Sequence, residues 1–273
     1  MSDPYKTKSF SPSSFGQRYK RIHSGSGRDT VEFEIKKPSN SNKELTILSK
    51  EVERFQKLSH PNLQKISKVV EETSKWLVTC LFPKNNRLET VIGARMVGQW
   101  KESSLRYVAR QILEVLHFLW KENFLHGDIH RNSVIINYQR SPVKVCITRF
   151  YLHPQGYPME KLVQSGKISV HLASFVAPEL LFEKAYSSAS DIWSIGVLLY
   201  YMVSGKLLYE FPSVVSVDTS TLRVSYSSPW SFPPEFDKIS AQGKTFIAKV
   251  LSLNPRMRGK YPELLHHEWL QQE

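Results

Sequence analysis

Cysteine is scarce in this chain. Two are present in 273 residues, Cys80 and Cys146, each isolated inside an apolar run. That usage fits small buried hydrophobes in a reducing compartment rather than a disulfide or a metal centre. Long hydrophobic runs are missing too. The longest, Ile195 to Val203, is far too short to span a bilayer. The first residues, MSDPYKTKSF, hold no apolar segment of a secretory signal. The expectations are no membrane span and a cytoplasmic location. Acidic residues are outnumbered, 25 Asp and Glu against 37 Lys and Arg, for a net charge of +12. Nucleic acid, anionic lipid or acidic proteins would all suit such a charge. The basic residues are spread without a dense cluster, however, and no nucleic-acid-binding motif occurs. A solvated basic surface is expected, with proteins as partners. One local absence is sharper: between Asp128 and Glu160 there is neither Asp nor Glu.

What is present suits a globular protein, 41% hydrophobic and 23% charged. The length allows a sizeable core, as one large domain or two lobes. Residues 1–12 are expected to be disordered. Gln17 to His23 then alternates, Ser24-Gly25-Ser26-Gly27 reads as a turn, and Val31 to Ile35 alternates strictly as a strand. Together they predict a β-hairpin with a long tip. A phosphate-cradling reading of Ser-Gly-Ser-Gly is the weaker one, because the next strand follows too closely.

Asn42 to Leu58 predicts a helix, with Leu45, Leu48, Val52, Phe55 and Leu58 on one face. Lys75 to Phe82 predicts a buried strand. Ser103 opens a long helix whose apolar stripe runs from Leu105 to Leu119. Leu125 to Asn137, LHGDIHRNSVIIN, reads as strand, short polar loop, strand. The loop holds the carboxylate of Asp128 between two apolar anchors.

That stretch resembles the protein-kinase catalytic loop, H-R-D-L-x-x-x-N. His126 and Asp128 are kept. Gly127 stands where Arg belongs, His130 where Ser/Thr kinases usually have Lys, and Ser133 where the metal-binding Asn belongs. Other matches fall in order along the chain. They are E-x-x-x-F-x-x-L-x-H-P-N-L from Glu51, A-P-E ending at Glu179, D-x-W-S-x-G from Asp191, and N-P-R-M-R ending at Arg258. The chain therefore resembles a degenerate eukaryotic-type Ser/Thr protein kinase domain over residues 13–273. This implies an α+β, bilobal protein-kinase fold. A small β-rich N-lobe (13–82) with one αC helix would precede a larger, mainly α-helical C-lobe (83–273).

The resemblance also implies roles. F-E-I-K in place of V-A-I-K makes Lys36 the phosphate-contacting lysine, paired with Glu51 of the αC helix. Gly16 is the one glycine left where the glycine-rich loop falls. Thr79 takes the gatekeeper position, and Leu81 opens the hinge. Asp128 would be the catalytic base. Phe55, Ile66, His126 and Phe150 would stack as an internal spine anchored by Asp191. Glu179 and Arg258 would form a fold-holding pair.

The chemistry is damaged where the scaffold is kept. Kinases hold Mg²⁺ with the Asp of D-F-G. One register puts Ile147 at that position; the other puts Arg149 there, followed by Phe150. Neither residue is a carboxylate, so magnesium binding is doubtful on this resemblance. The implied function is a catalytically impaired pseudokinase, a scaffold or allosteric regulator. ATP would bind weakly or without metal, with Lys36, His130, Ser133 and Arg149 around it. The alternatives are an active atypical Ser/Thr protein kinase and, third, a small-molecule phosphotransferase.

Overall fold

The structure is a computed structural model that describes residues 8–9, 19–22, 30–37, 42–81, 100–131, 133–137, 142–148, 174–183, 186–209, 226 and 229–272. Alternation builds the first lobe. In β3 (Thr30–Lys36), Val31, Phe33 and Ile35 are buried. They lie opposite Cys80, Val78 and Trp76 of β5 (Lys75–Leu81), which are buried as well. Two rows of branched and aromatic side chains thus meet on one face, the arrangement that stabilises an antiparallel pair. Strands β1 (Lys8–Ser9), β2 (Tyr19–Ile22) and β4 (Ile66–Glu71) complete an antiparallel sheet in the order β1-β2-β3-β5-β4.

The expected hairpin forms between β2 and β3, with Ile22 opposite Thr30. Two differences from expectation stand out. Lys8 and Ser9, in a segment expected to be disordered, pair with Arg21 and Lys20. Strand β4 carried no alternation to announce it, because it lies at the sheet edge with most of its residues half-buried or exposed. Helix α1 (Asn42–Gln56) buries Leu48, Val52 and Phe55, and the turn after it buries Leu58.

The second part is mainly helical. Helix α2 (Glu102–Lys121) buries a continuous stripe of eight residues from Leu105 to Leu119. It leads through the loop to a two-stranded sheet, β6 (Val134–Asn137) with β7 (Lys144–Ile147). Helix α3 (Pro178–Phe182) is short. Helix α4 (Ser188–Ser204) is buried almost all round, as a central core helix should be. It starts with a capping box on Ser187 and stops at Gly205, whose φ of 74° suits glycine. Helices α5 (Ala241–Val250), α6 (Tyr261–Leu265) and α7 (Glu268–Gln271) finish the chain.

Helix α4 needs a glycine where α5 crosses it. A Cβ on Gly196 would lie 2.7 Å from Leu251. No helix among the described residues is long and apolar enough to cross a membrane.

Candidate functional site

The loop 126–133 is set by α4. Asp191 projects from the first turn of that helix, and its carboxylate accepts the backbone N–H of His126 at 2.9 Å and of Gly127 at 3.1 Å. The Tyr186 hydroxyl adds a third bond at 2.5 Å. Burial pushes the Asp191 carboxyl up to about 6, and the three donors pull the other way. Gly127 has a φ of 78°, a conformation that a side chain there would strain.

The His126 ring is fully buried and bonded at both nitrogens. Nδ1 accepts the Asp128 N–H at 3.1 Å, and Nε2 faces the Thr148 carbonyl at 3.1 Å. These partners select the neutral tautomer with its proton on Nε2. Burial brings its pKa down to about 4, so the ring stays neutral at ordinary pH.

Asp128 is 4% exposed, and among the described residues neither carboxylate oxygen accepts a hydrogen bond. The His130 ring lies beside it, with Nε2 3.4 Å from Oδ1, too far for a good hydrogen bond. Phe175 packs edge-on against the His130 ring at 6.3 Å. Beside Asp128 lies a small cavity of about 20 Å³, room for one water, walled by Phe175, Val176, Leu180 and Tyr186.

Ser133 is consumed by the loop itself. Its hydroxyl accepts the His130 N–H at 2.8 Å and donates to the His130 carbonyl at 2.9 Å. Ile147 is fully buried; its N–H goes to the Asn62 carbonyl at 2.7 Å and its carbonyl takes the Gln64 N–H at 2.8 Å. Ile147 thus joins β7 to the turn after α1 as a backbone seam.

The family's magnesium does not fit the described residues. Asp128 supplies a carboxylate, the Ser133 hydroxyl is already engaged, and Ile147 has no donor. Among the described residues no three His, Cys, Asp or Glu side chains converge.

The other expected residues divide. Lys36 does not meet Glu51: it is exposed on the face of β3 opposite to the buried row, across from Lys75. The strand's two-residue period is the physical reason, since Val31, Phe33 and Ile35 take the inward positions. Glu51 pairs instead with Arg54 at 2.8 Å. Thr79 shares the outward face of the sheet, its hydroxyl 3.4 Å from Glu32. Leu81 has both backbone groups engaged, with Lys65 and with the Gln64 side chain. Phe55, Ile66 and His126 lie in the core or against it. Gly16, Arg149 and Phe150 fall outside the described residues.

Sequence reasoning missed Arg54, Thr148 and Tyr186. Thr148 holds the Ser133 carbonyl with both its N–H and its hydroxyl. Arg54 and Tyr186 stand at no motif position, so only their neighbours identify them.

Comparison with known proteins agrees with this geometry. The model of the protein kinase domain matches residues 13–270. Among curated proteins, mouse sperm motility kinase 3A is 26% identical over 221 residues, covering 81% of this chain and 41% of that protein. Mouse ribosomal protein S6 kinase alpha-6 is 26% identical over 256 residues, 92% of this chain and 32% of the relative. Serine/threonine-protein kinase 36 of Pongo abelii is 24% identical over 257 residues, 94% and 18% respectively. The chain thus spans less than half the length of these relatives. With its two-part fold, its Asp191-anchored loop and a family match over nearly its whole length, the chain belongs to the protein kinase domain family.

Proposed function

We propose that this protein is a pseudokinase, a kinase fold that works as a scaffold or allosteric partner for other proteins. The observation that carries this reading is Ile147, which in one of the two registers stands where the metal-binding Asp belongs: its side chain is apolar and fully buried, and its backbone is locked into the seam with residues 62–64. Phosphoryl transfer depends on positioning and on neutralising charge. Losing one charge-stabilising group costs on the order of 100-fold in rate or more. Here the Ser133 hydroxyl is engaged, and the Lys36–Glu51 pair is not formed. Nucleotide binding in this reading is weak or independent of metal.

One observation favours the alternative, an active atypical Ser/Thr kinase. Asp128 keeps the position of the base, and among the described residues nothing donates a hydrogen bond to its carboxylate oxygens.

A thermal shift with ATP, run with Mg²⁺ and again with EDTA, tests the reading. Ligand at about 100 times its dissociation constant adds about 2.7 kcal/mol, roughly 5–10 °C for a domain of this size. The pseudokinase reading expects no shift, or the same shift in both buffers. A shift that requires Mg²⁺, with phosphate transfer abolished by Asp128→Asn, would replace it with the active kinase.

A further inference from the structure

Arg54 sits on the last turn of α1 and makes three contacts at once. Its Nη1 meets the Glu51 carboxylate at 2.8 Å. Its Nη2 donates to the backbone carbonyl of Glu122, the residue that ends α2. Its guanidinium lies over the Phe124 ring, 4.8 Å from the centroid, and Phe124 also meets Phe55 of α1 at 6.4 Å.

The chemistry of a helix end explains the match. The last carbonyls of a helix have no partner within it, and they carry the negative end of the helix dipole. At α2 the chain then turns away through Asn123, whose φ of 59° is left-handed, and the Phe124 N–H returns to the Leu119 carbonyl at 2.8 Å. The Glu122 carbonyl is left facing α1. A guanidinium is suited to this place, because its planar fork can bond a carboxylate and a carbonyl while its face rests on an aromatic ring. A lysine has the charge but not the fork.

We propose that Arg54 is the residue that positions α1, by capping α2 from the other lobe. In the kinase pattern the partner of Glu51 is a lysine on β3, beside the nucleotide. Here Lys36 is exposed and Glu51 is held by Arg54. The placement of α1 then follows from the C-lobe and is indifferent to whether nucleotide is bound. This inference does not depend on the pseudokinase reading, because α1 can be followed with no nucleotide present.

Hydrogen–deuterium exchange on the full chain tests it. Arg54→Ala should speed exchange of the α1 amides by roughly ten-fold while those of α4 stay as they were. Arg54→Lys should fall between that variant and the parent. In the parent, ATP in EDTA should leave α1 exchange unchanged. The proposal is overturned if α1 in Arg54→Ala exchanges as slowly as in the parent, if α1 and α4 loosen equally, or if ATP slows α1 in the parent. Should Arg54→Ala not fold, Phe124→Leu decides. It removes the aromatic platform and keeps both polar contacts, so a rise confined to α1 supports the proposal and a uniform rise, or none, overturns it.

Discussion

Glu179 and Arg258 face each other through two parallel bonds of 2.7 and 2.8 Å, with Arg258 wholly buried. The guanidinium is satisfied on every side. It also donates to the carbonyls of Ser252 and Ala189 and lies 4.9 Å from the centre of the Trp193 ring. Ser190 donates a further bond to Glu179 at 2.9 Å. This pair ties α3, α4 and the turn before α6 together.

Removing one partner leaves the other buried and charged. Arg258→Leu is expected to destabilise the protein by about 3–5 kcal/mol, read as a lower urea midpoint. Arg258→Lys should recover part of that, since one ammonium cannot bond both carboxylate oxygens in the same fork. A loss below about 1 kcal/mol for Arg258→Leu would mean that the pair does not hold the fold.

Ile147→Asp should not create a metal site. The side chain is fully buried, and its strand is bonded to Asn62 and Gln64. A carboxylate placed there without a partner should destabilise by several kcal/mol. Added Mg²⁺ should leave the melting temperature of the variant unchanged. A variant stabilised by Mg²⁺ would contradict the view that this position is a structural seam.

His126 and Asp191 should act on stability in opposite directions with pH. The His126 pKa falls from 6.5 to about 4 on folding, so the unfolded chain takes up its proton first and stability drops as pH falls from 6.5 towards 4. The Asp191 pKa rises from 3.8 to about 6, so the folded chain takes up that proton first and stability grows as pH falls from 6 towards 3.8. Each pKa unit corresponds to about 1.4 kcal/mol, so the two contributions are similar in size and largely offset each other in the parent. His126→Phe removes the first and keeps the second. Its stability relative to the parent should improve between pH 6.5 and 4, whatever its loss at neutral pH. Parallel pH profiles for the two proteins would refute this assignment.

Several parts of this protein were legible in the amino-acid order alone. Strict alternation in Val31 to Ile35 and the three- and four-residue steps of Leu48, Val52 and Phe55 give strand and helix, because those periods are properties of the backbone. The kinase-like loop, A-P-E and D-x-W-S-x-G are local strings, and the absence of Asp and Glu after Asp128 is read off directly. Strand β4 was not legible, because an edge strand with half-exposed residues leaves no pattern.

Partners were decided only by the tertiary structure. Lys36 and Glu51 each stood at a motif position, yet the inward row of β3 was already taken by Val31, Phe33 and Ile35, which turned Lys36 outward. Arg54 stands at no motif position. Its role arises because the end of α1 meets the end of α2, 68 residues later, where a helix carbonyl and an aromatic ring await a guanidinium. Sequence sets which face each residue can occupy, since that follows from local geometry. Which group waits on that face depends on how distant elements pack, and that was settled only when the chain folded.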